Sequence, residues 1–287
     1  MNNKYIVKKD MILFDFLKEN LSNKSKNNIK SLLTNELVLV NNKIRTKYNF
    51  ILHKDDEVEI KNTKIKDSKY KKEIKIIYED KDLIVVNKPA NLLCISTEKE
   101  KEYTLYHFLH NYVKSKNKNN KIFIIHRLDK ETSGLVIFAK NEKTKKLFQN
   151  SWNDIALKRC YYAVVENKVK QKEKTIKNYL VENNLKVYET KDKNKGKLSI
   201  TKYKLLKEND SYSLLDVEIL TGRKNQIRVA LNNNGNTIVG DKKYNCKSDP
   251  IKRMALHAYL LQIKDLRTNK ILEFKLDLPY AFGKLVK

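Results

Sequence analysis

A series of short apolar runs, rich in β-branched and aromatic residues, constrains the fold of this chain more than any other feature. Each run is typical of a strand. The runs are Ile74–Tyr78, Leu83–Val86, Leu135–Ala139, Tyr161–Val165, Thr201–Leu206, Tyr212–Leu220, Leu256–Ile263 and Ile271–Leu276. Helical spacing occurs over Glu142–Asp154 and Lys224–Asn232, and the basic tracts Lys114–Lys121 and Lys191–Lys197 are predicted to be mobile loops. Strands that outnumber helices without regular alternation predict the α+β class, with a mixed, mostly antiparallel sheet.

The first 65 residues follow a different pattern. Apolar spacing predicts a helix within Met11–Leu21 and a second helix over Lys26–Leu33, for which Ser25 is the expected N-cap. Two short β-type runs follow before residue 61. The tract 66–73 is charged and poor in apolar residues, as linkers are. We therefore predict a small α/β domain at 1–65, a linker at 66–73 and a large domain at 74–287.

The composition favours a polyanionic partner. The formal net charge is +27, and 33% of the residues are charged. Each Lys or Arg that meets a phosphate releases a condensed counterion, so such an excess is typical of nucleic-acid binding. Only seven of the 61 basic residues are Arg, and AT-rich coding drift would also account for many of the lysines. Charge alone does not identify a function. Because most basic residues of this chain are Lys, a position that has Arg favours a site that needs a planar guanidinium.

Other function classes are disfavoured by the composition. Apolar residues make up 40% of the chain, enough for a sizeable core. Cys94, Cys160 and Cys246 are widely spaced and form no CxxC, which argues against a disulfide framework or a zinc site. No stretch approaches 18 apolar residues, and the N-terminus lacks the apolar core of a secretory signal. We expect a cytoplasmic protein without a membrane span.

The segment most informative about chemistry is His126-Arg127-Leu128-Asp129-Lys130-Glu131-Thr132-Ser133-Gly134-Leu135, which lies between two apolar runs. Taken alone, a polar segment of this composition is first of all a turn, in which Asp129 caps or forms a salt bridge. Three further segments combine an apolar run with polar or aromatic residues: Val85–Leu93 with Asn-Lys-Pro, Arg159–Val165 with two tyrosines, and Leu220–Val229 with Gly-Arg-Lys-Asn-Gln-Ile-Arg. Strand alternation would bury one of Tyr161 and Tyr162 and expose the other.

In this order and spacing, the four segments resemble the RluA-type pseudouridine synthases, which modify large-subunit ribosomal RNA and some transfer RNA. The family signature is His-Arg-Leu-Asp followed two residues later by Thr-Ser-Gly, and residues 126–134 match it throughout. Further matches lie at Gly235, Val239-Gly240-Asp241, Tyr244, Arg253 and Ala255-Leu256-His257-Ala258. The resemblance covers residues 74–287 and implies the pseudouridine synthase fold and an RNA uridine-to-pseudouridine isomerase.

The resemblance also implies roles for individual residues. Asp129 would be the catalytic carboxylate, Arg228 would pair with it and fix its orientation, and Tyr161 would stack on the target base and assist removal of the C5 proton. A charged partner such as Arg228 would also keep Asp129 ionised. Further basic residues expected to contact RNA are Arg127, which would hold the target nucleotide open, and Arg223 and Lys158, which would contact phosphates. The reaction requires no metal, nucleotide or redox cofactor, so none is expected.

Residues 1–65 are similar to the small RNA-binding domain shared by a small-subunit ribosomal protein and many RNA-modifying enzymes. The matching residues are Ser25-Lys26, Ile29-Lys30, Leu33, Val38-Leu39-Val40-Asn41 and Asp56-Glu57-Val58. Asn35 stands where that family usually has Gly, and Asn tolerates a left-handed backbone nearly as well as Gly does. Lys26 and Lys30 would lie along a phosphate backbone, the alternative being an amphipathic helix with a solvated face. We expect a monomer whose partner is structured RNA, with ribosomal RNA favoured over transfer RNA.

Four positions depart from the family pattern. Asn91 and Asn167 stand where the family has Gly, and Asn225 and Ala230 stand where it has His. None of these changes removes Asp129, so we expect activity to survive.

The sequence leaves open two alternatives from other function classes. A non-catalytic RNA-binding or ribosome-assembly factor would need the site to have decayed, yet its central residues are present. A glycoside hydrolase usually needs a second carboxylate beside the first. The nearest candidate is Asp241, which we interpret as a turn residue after Gly240.

Overall fold

A computed structural model describes residues 3–61, 73–98, 100 and 103–287. The chain forms two compact units, Met1–Lys72 and Glu73–Lys287. Apart from Glu73, the tract predicted to be a linker (66–73) lies outside the described residues. Every helix in the described part of the chain is too short or too polar to cross a bilayer.

The first unit packs helices against a small antiparallel sheet. The helices are α1 (Leu13–Asn20) and α2 (Lys26–Thr34). The strands are β1 (Asn3–Ile6), β2 (Met11–Ile12), β3 (Val38–Val40), β4 (Lys43–Ile44), β5 (Ile51–Leu52) and β6 (Glu57–Ile60). The sheet order is β1-β6-β3-β4, and β2 pairs with β5. Leu13 and Leu17 of α1 and Ile29 and Leu33 of α2 enter its core, because residues four apart share one face of a helix.

The second helix begins where the sequence predicts. Ser25 is its N-cap, and the hydroxyl of Ser25 accepts a hydrogen bond from the backbone N–H of Asn28 at 3.3 Å. Such a bond satisfies one of the N–H groups that have no partner within the helix. Lys26 and Lys30 are exposed on its outer face.

Asn35 does not use the left-handed backbone that it tolerates. Its φ is −86°, and the left-handed residue is the following Glu36, with φ 57°. The backbone N–H of Asn35 still donates to the carbonyl of Ser31, so the chain leaves the helix one residue later than expected.

The second unit is built on one large sheet. Its strands are β7 (Lys75–Glu79), β8 (Leu83–Lys88), β9 (Phe123–Ile124), β10 (Ser133–Ala139), β11 (Ala156–Glu166), β12 (Glu173–Glu182), β13 (Val187–Thr190), β14 (Lys197–Glu208), β15 (Tyr212–Ile219), β16 (Leu256–Asp265) and β17 (Lys270–Lys275). The order is β13-β12-β14-β15-β11-β16-β10-β8-β7, with β17 beside β16 and β9 beside β10. Among the described strands the β10–β16 pair is parallel and the other pairs are antiparallel. The α+β class with a mixed, mostly antiparallel sheet is confirmed.

The helices of this unit differ in part from the prediction. They are α3 (Leu105–Lys116), α4 (Glu142–Asn150), α5 (Trp152–Ile155), α6 (Gln226–Asn233) and α7 (Tyr280–Leu285), with a 3₁₀ turn at Lys242–Tyr244. The single helix expected over Glu142–Asp154 is divided at Ser151. The prediction of a loop at Lys114–Lys121 is wrong at its start, because the first three residues of that tract form the end of α3. The sequence does not predict α3, whose Tyr, His and Phe residues have only middling helix propensity, or the lysine-bearing β12 with its partner β13.

A close approach between β10 and β16 positions the polar segment that precedes β10. Gly134 pairs with Ala258 in parallel register, and its φ is 120°. A Cβ at position 134 would lie 2.2 Å from the carbonyl oxygen of Ala258, so a larger residue would push the strands apart. On the other side of β16, Tyr161 of β11 pairs with the same Ala258. The start of β10 and Tyr161 therefore flank one residue of the sheet.

Candidate active site

A buried ammonium group ties the loop of Asp129 to the strand before it. Lys88, at the end of β8, is fully buried, and its Nζ donates to the carbonyl oxygens of Pro89, Leu92 and Lys130 at 3.0, 2.7 and 3.0 Å. Burial lowers the pKa of Lys88 to about 8, because a charge is less stable away from water. The Asn-Lys-Pro segment thus holds the residue that follows Asp129.

The two ends of the same loop are held by neutral histidines. At the start, Nε2 of His126 accepts a hydrogen bond from the N–H of Ile137 at 3.2 Å, and burial lowers the pKa of His126 to about 3. At the end, Oγ of Ser133 lies 2.7 Å from Nδ1 of His257, and burial lowers the pKa of His257 to about 4. These contacts fix the backbone on both sides of Asp129.

Arg228 of α6 is the centre of a buried charge cluster. Its Nε and Nη2 donate to the two carboxylate oxygens of Asp241 at 2.8 and 2.7 Å, and the two side chains are 4% and 1% exposed. Nη1 lies 3.4 Å from Oε2 of Glu131 and 3.6 Å from Oδ2 of Asp129. Burial opposes the charge on Arg228, but the hydrogen bonds and charge of Asp241 outweigh burial and raise the pKa of Arg228.

The ion pair expected between Asp129 and Arg228 forms, but Asp129 is not the main partner. The 3.6 Å separation exceeds that of a good hydrogen bond, whereas Asp241 engages the other two nitrogens. Burial raises the pKa of Asp129, and the charge of Arg228 offsets only part of that effect. The side chain of Asp129 is 30% exposed. A basic carboxylate is therefore open to a ligand.

Tyr161 lies close enough to Asp129 for their charges to interact. Burial raises the pKa of Tyr161 to about 12, with opposing contributions from Arg159, which lowers it, and Asp129, which raises it. The phenol is therefore neutral near pH 7.

The expectation that one of the two adjacent tyrosines, Tyr161 and Tyr162, is exposed is wrong. Both are partly buried, and Tyr162 stacks on Tyr259 with 3.8 Å between ring centroids. Both faces of the strand are covered here.

A polar cavity of about 360 Å³ adjoins the cluster around Arg228. Glu131 and Asp241 line it together with Lys242 and Lys243, whose side chains are exposed. Acidic groups next to the guanidinium and basic groups at the rim suit a polyanionic ligand, because its phosphates can meet the rim.

One continuous part of the chain contains the loop of Asp129, the strand of Tyr161 and the helix of Arg228. This part, residues 82–233, matches the family described as RNA pseudouridylate synthase. The chain belongs to this family. It is an isomerase that converts uridine to pseudouridine in RNA, and its RluA-type resemblance is confirmed by the relatives it matches.

The relatives of this synthase extend over most of its length. An uncharacterized RNA pseudouridine synthase of Mycoplasma genitalium is 32% identical over 95% of this chain and 91% of that protein. Ribosomal large subunit pseudouridine synthase D of Borreliella burgdorferi is 34% identical over 73% of this chain and 66% of that protein. Among solved structures, human RNA pseudouridylate synthase domain containing 4 has a TM-score of 0.62 and 21% identity, covering 75% of this chain and 92% of that one. The structural likeness shows a shared fold.

The other basic residues predicted for the synthase site lie at its surface. Arg127 and Arg223 are exposed, and Nε of Arg223 donates to the carbonyl of Leu198 at 3.0 Å. Lys158 is also exposed, but alternation along β11 directs it to the face opposite Tyr161. The geometry therefore does not support the phosphate contact predicted for Lys158 at this site.

Asp241 has a larger part in the synthase than its sequence context indicates. It is a turn residue, since its Oδ1 accepts from the N–H of Tyr244 at 3.3 Å. Its buried carboxylate is also the main partner of Arg228, a pairing that a turn residue does not lead one to expect. The match at Val239-Gly240-Asp241 was the available signal. A carboxylate that is 1% exposed and neutralised in this way does not provide the second catalytic acid of a glycosidase.

The departures from the family pattern are accommodated by the fold. Asn91 and Asn167 have φ values of 64° and 67°, in the left-handed region where Asn is tolerated in place of Gly. Asn225 is the N-cap residue of α6, and its Nδ2 donates to the Tyr244 hydroxyl at 3.2 Å. Ala230 is fully buried in the same helix. These residues leave Arg228 in contact with Asp129.

Proposed function

We propose that this synthase modifies uridines in large-subunit ribosomal RNA, with Asp129 as its catalytic carboxylate. The observation that carries the choice of Asp129 is its position, partly exposed in a fixed loop and 3.6 Å from Nη1 of Arg228. The name of the Borreliella burgdorferi relative supports ribosomal RNA as substrate, and transfer RNA is the alternative. The three free cysteines support action in a reducing compartment such as the cytoplasm.

The isomerisation breaks the N1–C1′ bond of uridine, turns the base and joins C5 to C1′. N1 gains a proton, and C5 loses one. Asp129 would attack C1′ as a nucleophile or remove a proton from C2′. Burial makes this carboxylate more basic than an ordinary Asp, and Arg228, itself held by Asp241, would orient it.

The target base must leave its stack before it can react, at a cost of a few kcal/mol. The exposed Arg127 and Arg223 would contact the displaced nucleotide and its phosphates. The net charge of +27 favours such contacts and would offset the cost of unstacking.

We expect Tyr161→Phe to lower turnover by about 10²-fold or more and to leave RNA affinity nearly unchanged. The ring that would stack on uracil is retained, but the hydroxyl is lost, and with it the relay in which its oxygen would accept the C5 proton while it passes its own proton to water. Because the pKa of Tyr161 is about 12, the neutral hydroxyl is the group available near pH 7. Single-turnover release of tritium from uridine C5 measures the effect.

Tyr162→Phe is the matched control for this variant, because Tyr162 lies on the opposite face of β11 and stacks on Tyr259. It should turn over at the wild-type rate. Equal rates in the two variants would contradict the role of the Tyr161 hydroxyl in removing the C5 proton.

The choice of RNA is tested with ribosomal and transfer RNA labelled with tritium at uridine C5. Wild-type protein should release tritium from large-subunit ribosomal RNA and not from transfer RNA. Release from transfer RNA alone would contradict the ribosomal substrate and identify transfer RNA as the substrate. Tight binding of both RNAs with no release from either would contradict catalysis on free RNA and favour a binding role.

We also propose that the first unit adds RNA affinity through α2. Lys26 and Lys30 are exposed, while Ile29 and Leu33 on the other face of the helix are buried. The ammonium groups are therefore directed to solvent, where phosphates can approach. Equal RNA affinity of the wild type and a Lys26→Gln/Lys30→Gln variant would contradict this contact.

A further inference from the structure

Arg159 is a partly buried arginine beside the site, and the mechanism above gives it no role. It lies two residues before Tyr161 in β11, so the two side chains project from the same face of the strand. To the other described residues, Arg159 makes neither a hydrogen bond nor an ion pair, and its Nε is buried without a partner.

The other buried or partly buried arginines of the described part of this unit have hydrogen-bond partners. Arg228 and Arg267 pair with carboxylates. Arg253 has no carboxylate partner among the described residues, and burial lowers its pKa as well, but its guanidinium donates hydrogen bonds to Oγ of Ser133 at 2.7 Å and to a backbone carbonyl. Burial lowers the pKa of Arg159, because its charge loses water and gains no carboxylate. An unpaired guanidinium in this setting destabilises the fold, and such groups concentrate at functional sites.

Two segments of the site lie close to the Arg159 side chain. A Cβ at position 222 would lie 3.0 Å from Nη1 of Arg159, so glycine at this position leaves room for the guanidinium. Gly222 does not have a positive φ, so its backbone conformation does not itself require glycine. Burial lowers the pKa of His126, and the charge of Arg159 lowers it further, so Arg159 also lies near the start of the Asp129 loop.

We propose that Arg159 binds a phosphodiester of the RNA strand next to the target uridine. This inference rests on the proposed function, because it places RNA at the Asp129 site. A phosphate supplies both the acceptors and the negative charge that Arg159 lacks in the free protein, and its geometry matches the planar guanidinium fork. The carbonyl groups of uracil would supply acceptors without charge and would leave the guanidinium uncompensated.

The test compares Arg159→Met, which keeps the stem and removes the charge, with Arg159→Lys, which keeps the charge. Affinity for labelled ribosomal RNA is measured across a series of salt concentrations. Arg159→Met should bind about tenfold more weakly. Its plot of log affinity against log salt should be shallower than that of the wild type by about 0.7 to 0.9. Arg159→Lys should retain the wild-type slope and bind with intermediate affinity.

A control variant and a stability measurement separate this role from a structural one. Lys264→Met removes one charge from an exposed position of β16 and should leave affinity and salt slope nearly unchanged. Arg159→Met should melt at the wild-type temperature or above, since it removes an unpaired charge.

The phosphate contact is overturned if Arg159→Met keeps the wild-type salt slope, or if it changes the slope no more than Lys264→Met does. A wild-type protein that releases no tritium would count against the proposed function. The salt slope of Arg159→Met would still report on the phosphate contact, so the two failures are distinguishable.

Discussion

Asp129→Asn is expected to lower turnover by about 10⁴-fold or more and to leave RNA affinity close to the wild-type value. An amide has nearly the size of the carboxylate but acts neither as a nucleophile at C1′ nor as a base at C2′. The backbone carbonyl of residue 129 would still accept from the N–H of Thr132, so the loop keeps its conformation. Single-turnover tritium release and RNA binding, measured on the same preparation, separate chemistry from affinity.

The stability of Asp129→Asn provides a second readout. Burial raises the pKa of Asp129 in the folded protein above the ordinary value of 3.8, so the folded state binds this proton more readily than the unfolded chain. The ionised carboxylate therefore destabilises the fold above its raised pKa, and this cost disappears below the ordinary value. Relative to the wild type, the variant should gain stability as pH rises through that window.

Urea unfolding at a series of pH values measures this difference. The variant should be as stable as the wild type at low pH and at least as stable near pH 7. Marked destabilisation near pH 7, or turnover at the wild-type rate, would make Asp129 a structural turn residue instead of a catalytic one.

Arg228→Met is expected to reduce the free energy of unfolding by about 3–5 kcal/mol. The substitution leaves Asp241 charged and 1% exposed, with its bidentate partner gone. Turnover should also fall by about 10²-fold, because Asp129 loses the Nη1 group that orients it. Activity is measured well below the unfolding temperature of the variant, so that loss of folded protein does not contribute.

A double variant separates the stability effect from the catalytic one. Arg228→Met/Asp241→Asn removes both charges and should recover much of the lost stability, since no uncompensated carboxylate remains. Its turnover should stay low. Arg267→Met is a matched control, because Arg267 forms a similar pair with the buried Asp265 at the β16–β17 turn. That variant should lose stability and keep its turnover, and wild-type turnover in Arg228→Met would exclude Arg228 from catalysis.

Local patterns in the chain were sufficient for much of the fold. The strand runs of the large sheet could be located because alternation and apolar composition are properties of neighbouring residues. Ser25 and the spacing of Ile29 and Leu33 likewise located α2. The prediction failed for α3, where aromatic residues obscure a repeat of Leu105, Leu109 and Val113, and for β12, whose lysines obscure its alternation.

The amino-acid sequence by itself determined the family, the reaction and the identity of Asp129, Tyr161 and Arg228 as candidates, because each lies in a contiguous segment with its own pattern. Only the tertiary structure decided which groups neutralise one another. Asp241 is the main partner of Arg228, and Arg159 is left unpaired beside Gly222. Ion pairing depends on distance and burial, and these are set by the order of strands in the sheet, which brings together residues far apart in the chain.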